Sequence, residues 1–173
     1  MSGLSHSPLL DPVLDIDCSY GHNGAVGHLS LQVTSGEIVA VTGPNGAGAV
    51  TFLVDPSFFP DLTIAEHLEM TAHQVGVPAD ELRDSVAPWQ ISDIESELPS
   101  RVSGGQCQCV YLALQLASAA NVVVLDKPER HLDGDWGRRL GDELLAVRAR
   151  GAAVVVATHS AHLAGRADRT VEL

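Results

Sequence analysis

The run Glu37-Ile-Val-Ala-Val-Thr42 is short, apolar and β-branched, and it passes straight into Gly43-Pro-Asn-Gly-Ala-Gly48. Branched side chains suit a pleated, buried surface, and a run of this length stopped by glycine reads as an interior strand. Two more runs have the same character, Asn121-Val-Val-Val-Leu-Asp126 and the segment Ala152 to Ala157. Each follows a helical stretch, Gly104–Ala120 and Trp136–Arg150. Buried strands alternating with helices imply an α/β fold with a mainly parallel sheet and flanking helices.

The other segments fit around that core. Val13–Tyr20 alternates loosely and reads as an edge strand, and His28-Leu-Ser-Leu-Gln-Val33 alternates cleanly, as a half-buried strand does. Ser35-Gly36 makes a turn. Leu62–Val75 reads as a helix in which Thr63 and Glu66 form a capping box, and Pro78–Trp89 reads as a second helix. Ile91–Arg101 is mixed and polar. Val110, Leu112, Leu114 and Leu116 supply the apolar side of the next helix, and Gly151 caps the one after it. Ser160–Ala167 reads as a short helix and Thr170–Leu173 as a last strand. With no repeat and no dividing linker, residues 13–173 read as a single domain and residues 1–12 as a flexible N-terminal tail.

Composition narrows the partners. Hydrophobic residues make up 45% of the 173, enough for a real core. The net charge of -12 argues against nucleic acid, whose phosphates would be repelled. Cys18, Cys107 and Cys109 make no disulfide framework. Cys107 and Cys109 lie two apart on a helix and so point to different faces, which leaves free thiols suited to a reducing, cytoplasmic setting. No run reaches the roughly twenty apolar residues of a membrane span.

Four motifs stand in a telling order. Gly43–Gly48 follows a buried strand, as the opening of a phosphate loop does. Val102-Ser103-Gly104-Gly105-Gln106 opens a helix about twenty residues before the strand that ends in Asp126. Leu132-Asp133 comes next, and then His159 after Val-Val-Val-Ala-Thr. This order resembles the ATP-binding subunit of ABC transporters over nearly the whole chain, about Val13 to Leu173.

The resemblance implies a phosphate-loop NTPase-like core, with ATP and magnesium as cofactors. Gly43, Pro44, Asn45, Gly46, Ala47 and Gly48 would wrap the phosphates, and Tyr20 would stack on adenine. Asp126 would take part in catalysis through magnesium, and His159 would contact the γ-phosphate. Asp55 falls where the family's Q-loop glutamine would. Ser103, Gly104, Gly105 and Gln106 would act in trans, closing on ATP held by the other subunit of a homo- or heterodimer. The implied partners are therefore a homologous ATP-binding subunit and transmembrane permease subunits. The implied place is the cytoplasm, peripheral to the inner face of the membrane.

The departures from the family are as informative. Ala49 stands where the loop lysine belongs and Val50 where a serine or threonine would hold magnesium. Lys127, the chain's only lysine, replaces the glutamate that activates the attacking water; a cation cannot accept that proton. It could pair with Asp126 instead. Cys107 and Cys109 replace common arginines, and Val102 replaces a leucine. Simple substitution is one explanation of the loop. The other is an internal deletion after residue 48, because Val50 to Leu68 resembles the stretch around the Q-loop; roughly 35 residues would restore the usual length. A deletion would remove the helix behind the loop and leave a sheet face uncovered.

The expectation is an ATP-binding subunit that does not hydrolyse its own ATP but completes a partner's site. A nucleotide-independent regulatory protein of a transporter complex and a non-functional remnant remain as alternatives.

Overall fold

A computed structural model of the chain describes residues 12–22, 25–42, 56–118 and 122–172. Six strands and five α-helices lie among them: β1 (Pro12–His22), β2 (Ala25–Thr34), β3 (Ile38–Thr42), α1 (Ile64–Val75), α2 (Ala79–Val86), α3 (Gly104–Ala117), β4 (Val122–Asp126), α4 (Gly134–Ala149), β5 (Ala153–Ala157), α5 (Ala161–Ala164) and β6 (Arg169–Glu172). The glycine segment Gly43–Gly48, with Ala49, Val50 and Asp55, lies outside the described residues, as does the expected tail up to residue 11.

The parallel sheet has the order β4-β5-β3-β6. Its two inner strands, β5 and β3, are buried as their composition predicts, with Ile38, Val39, Ala40, Val154, Val155 and Val156 all at most 1% exposed, while β4, the third expected run, lies at the edge. Alternation divides them between two faces. Ile38, Ala40, Val123, Leu125, Val154 and Val156 meet the helices, in a core that includes Leu68, Leu112, Leu140 and Leu144. Val39, Val41, Ala153 and Val155 meet β2 through Leu29, Leu31 and Val33.

This second face corrects the expectation of an uncovered sheet. β1 and β2 form an antiparallel pair, and the alternation of β2 turns its apolar side onto the parallel strands. Leu29, Leu31 and Val33 are buried while His28, Ser30 and Gln32 are exposed. The exposed apolar residue on the parallel sheet is Val122, at the start of β4.

The open end of the sheet is tied at Asp168. Its backbone N–H donates to the Ile38 carbonyl at 2.8 Å, its Oδ2 accepts from Ile38 N at 2.8 Å, and its Oδ1 pairs with Arg148 at 2.5 Å. Arg148 also donates to the Gly36 carbonyl. Gly36 sits at φ +70°, a conformation side chains resist, so the turn before β3 needs glycine there. Burial alone would raise the Glu37 carboxyl; hydrogen bonds from Thr34 and the Arg169 guanidinium outweigh it and hold the group below its usual range.

The helices follow the sequence with adjustments. α1 carries the expected capping box between Thr63 and Glu66 and buries Ile64, His67, Leu68, Thr71 and Ala72, the spacing of a helix stripe. His67 Nε2 accepts from the Phe59 amide at 3.0 Å, and its Nδ1 lies 2.7 Å from the Thr63 carbonyl oxygen. One ring thereby fixes the incoming chain to α1. The α-helix expected over Pro78–Trp89 stops at Val86 and finishes as a 3-10 turn, Ala87–Trp89, with Pro88 in it. The short helix expected over Ser160–Ala167 is confined to α5.

α3 is buried on more than one side. Val110, Leu112, Leu114 and Leu116 are two apart, each step turning about 200° around the axis, so they cannot share one face. Gln108, Cys109 and Ala113 are buried with them. As expected, Cys107 and Cys109 are free and point apart: Cys109 is buried, while the half-buried Cys107 thiol donates to the Pro99 carbonyl. Burial pushes the Cys109 thiol up to about 11, with Asp133 adding to the effect.

Two outcomes follow. Leu31→Ala should destabilise the chain by about 2–4 kcal/mol, because it empties a site between the hairpin and the sheet; urea unfolding measures it. Cys109 keeps its proton in the folded chain after the unfolded chain has released it. The stability this group contributes is whole below the ordinary thiol value of 9.0 and is lost as pH rises towards about 11. Unfolding from pH 8 to 11 should show that fall, and Cys109→Ala should flatten it.

Candidate functional site

The parallel strands end in register. Val41 of β3 pairs with Ala157 of β5, and Ala157 pairs with Asp126 of β4. Thr42, Lys127 and Thr158 therefore leave the sheet side by side, and Gly43 follows Thr42 directly in the chain. The carboxyl ends of parallel strands are where ligands of open α/β sheets bind. The geometry brings Asp126, Lys127 and His159 to that edge.

Lys127 opens the turn after β4. Its backbone is left-handed, at φ 46°, and its N–H donates to the Ala157 carbonyl at 2.7 Å. The Lys127 carbonyl in turn accepts from the Arg130 amide at 3.0 Å. The chain then passes Pro128, Glu129 and His131 to Asp133, whose Oδ1 accepts from the Asp135 and Trp136 amides and caps α4. Leu132-Asp133, singled out from its place after the strand, is thus the entry to a helix.

Glu129 is the residue that sequence reasoning missed. Its Oε1 accepts from the Thr158 hydroxyl at 2.6 Å and from the His159 amide at 3.1 Å. Its Oε2 is buried with no hydrogen-bond partner among the described residues. One carboxylate thus joins the turn after β4 to the turn after β5 and sets the backbone from which the exposed His159 side chain projects. The available signal was an acidic residue three positions past Asp126.

The Val102–Gln106 segment meets the same turn. Ser103 Oγ accepts from the Gln106 amide at 3.2 Å, and Gln106 Oε1 accepts from the Ser103 amide at 2.9 Å. This capping box fixes the start of α3. Two residues on, Gln108 Nε2 donates to the Pro128 carbonyl at 2.9 Å. A Cβ on Gly105 would lie 3.0 Å from the His131 carbonyl oxygen, whereas one on Gly104 would meet nothing within 4 Å. Gly105 is therefore needed for close approach, and Gly104 faces open space.

The other sequence candidates are not brought into this geometry. Gly43, Pro44, Asn45, Gly46, Ala47 and Gly48 lie outside the described residues. Tyr20 belongs to β1, opposite Gly27, and its side chain is outside them too. Magnesium finds little to hold it: among the described residues no three His, Cys, Asp or Glu are grouped as a metal site. Asp126 is a single carboxylate, and Mg2+ is held by one or two carboxylates only when phosphates complete its shell. Among the described residues the donors do not amount to a metal site held by protein alone.

Comparison with known proteins bears on this arrangement. A family model described as "AAA domain, putative AbiEii toxin, Type IV TA system" matches residues 73–165, more than half of the chain. The macrolide export ATP-binding/permease protein MacB of Rhodopseudomonas palustris (strain BisB18) is 38% identical over 122 residues, covering 66% of this chain and 18% of the relative. The chain thus spans less than a fifth of that relative's length. The lipoprotein-releasing system ATP-binding protein LolD of Paramagnetospirillum magneticum (strain ATCC 700264 / AMB-1) is 26% identical over 190 positions, covering 83% of this chain and 84% of the relative. Those 190 positions outnumber the chain's own 173 residues, so the relative has residues with no counterpart here. A dimeric ATP-binding cassette solved in a post-hydrolysis state with ADP and Pi superposes with a TM-score of 0.72 at 18% identity, covering 91% of each chain. The motif order, the parallel sheet that carries it and these likenesses agree: the chain belongs to the phosphate-loop family of ABC transporter ATP-binding proteins.

Proposed function

We propose that this chain is an ABC transporter ATP-binding subunit that does not hydrolyse ATP at its own site and lends Ser103–Gln106 to the ATP site of a partner. The observation that carries the reading is the contrast between the two halves. The start of α3 is fixed by its capping box, with Gly104 facing open space. The position after Asp126 holds a lysine.

The chemistry follows from that contrast. Ser103 Oγ accepts from Gln106 N and keeps its own proton to donate outward. The Gly104 and Gly105 amides open the helix, where free N–H groups and the dipole favour an anion. A γ-phosphate presented by a second subunit would meet these donors. On the cis side, Lys127 cannot take a proton from water, and no second lysine exists to replace the one missing at Ala49. An internal deletion next to Gly48 accounts for that loss together with the residues of LolD that have no counterpart here.

The partner is a homologous subunit with an intact phosphate loop, as the dimeric cassette superposed above pairs two copies. The name of MacB, an ATP-binding/permease protein, supports permease partners, beside which the pair would sit at the inner face of the membrane. Among the described residues no helix is long and apolar enough to cross a membrane.

Two measurements test this. The purified chain should release phosphate from ATP no faster than background; turnover abolished by Asp126→Asn would refute hydrolysis deficiency. Co-expressed with an intact homologous subunit, the chain should support ATPase activity that Gly104→Asp lowers at least tenfold, since a carboxylate then faces the incoming phosphate. Gly104 has room for the side chain, so the variant should fold. A mutant complex as active as the parent would overturn the trans role.

A further inference from the structure

His67 is an ionisable residue in an apolar place. It is 4% exposed and lies on the buried stripe of α1 with Ile64 and Leu68. Two phenyl rings enclose it. Phe59 stacks on it, with ring centres 6.1 Å apart and planes at 29°, and Phe58 meets it edge-on at 5.2 Å. Phe58 packs against the core, whereas Phe59 is exposed.

Both ring nitrogens are engaged with main chain, and the partners fix the proton. The Phe59 amide can only donate, so Nε2 is the bare, accepting nitrogen. The Thr63 carbonyl can only accept, so Nδ1 carries the hydrogen. The neutral Nδ1–H tautomer alone satisfies both. Between these partners the chain makes a turn: the Phe59 carbonyl accepts from the Leu62 amide at 3.3 Å, with Pro60 at a position that such turns favour. One imidazole thus braces a turn at both ends.

A proton on Nε2 affects the two ends differently. The imidazolium still donates from Nδ1 to Thr63. Its Nε2–H then points at another N–H, a donor against a donor, and the bond to Phe59 is lost. The charged groups on the elements packed around the ring are mostly carboxylates. Glu66 stands next to it on α1; hydrogen bonds from Thr63 hold that carboxyl below its usual range, and the charge on His67 adds to them. Asp61 lies in the braced turn. The 92–97 segment, bonded to the start of α1 through the Glu95 and Glu97 carbonyls, carries Asp93, Glu95 and Glu97, with Glu95 paired to Arg83. From α3, Tyr111 meets Phe58 edge-on, and burial pushes its hydroxyl up, so it stays uncharged. One turn away on α1, Thr63, Ile64, Met70 and Thr71 carry no charge.

We propose that His67 is a pH-operated latch: the neutral ring holds the Phe59–Leu62 turn on α1, and the protonated ring keeps Thr63 but lets the turn go. Histidine is the side chain suited to this, because it changes charge between about pH 5 and pH 8. Release takes Phe59 off the ring face. Phe58 keeps its contact with Tyr111 and the core, so the change is confined to the turn. The latch is independent of the trans reading of Ser103–Gln106 and stands or falls without it.

The test is nuclear magnetic resonance on the isotope-labelled full chain between about pH 8 and about pH 5.5. The His67 ring nitrogens report tautomer and charge, and hydrogen exchange reports the Phe59 amide. The Ile64 amide, bonded to the Glu97 carbonyl at 3.0 Å, is the reference. The expected result is the Nδ1–H tautomer at the upper pH. As the ring gains its proton, the exchange protection of Phe59 should fall at least tenfold while that of Ile64 holds. His67→Gln puts an amide that does not titrate in place of the ring and should remove the pH dependence at Phe59; if that variant does not fold, the titration of the parent decides alone. An Nε2–H tautomer at the upper pH or a ring still neutral at the lower pH would overturn the proposal. So would a charged ring with Phe59 still protected, an equal loss at Ile64, or the same fall at Phe59 in folded His67→Gln.

Discussion

The turn from Lys127 to Asp133 holds the functional end of this molecule together. Its outward bonds reach the end of β5 and the turn after it, α3 and α4. The Lys127 amide reaches the end of β5, Glu129 reaches Thr158 and His159, the Pro128 carbonyl receives Gln108 of α3, and Asp133 caps α4. A typical internal hydrogen bond contributes about 1 kcal/mol net, and one to a charged group about 1.5–3 kcal/mol. Their value here is geometric: Asp126, His159 and the start of α3 keep fixed relative positions because one short turn touches all three.

The scaffold rests on main-chain contacts. The left-handed backbone at Lys127 and its N–H bond to Ala157 anchor the turn whatever side chain stands at that position. The capping box at Ser103 and the packing of Gly105 against His131 fix the start of α3 independently of it.

β2 needs only its own period-two alternation to cover one face of the parallel sheet. Leu29, Leu31 and Val33 then join Val39 and Val155 in one apolar layer, which dispersion and the hydrophobic effect stabilise without specific partners.

The sequence by itself determined the parallel strands, the cap at Thr63, the motif order and the family they imply. Each of these rests on residues close in the chain: β-branched runs, a hydroxyl with a glutamate three positions on, glycines after a strand. Tertiary structure alone decided the rest. The role of Glu129 depends on β4 and β5 lying side by side, which brings position 129 against 158 and 159 across 30 residues of chain. The all-round burial of α3 depends on how many elements surround it, which its own spacing does not record. The Trp89–Trp136 stack arises where separate helices meet. Local pattern is written into neighbouring residues because backbone geometry repeats over two or four positions; long-range pairing is not, because it is fixed only when the whole chain has packed.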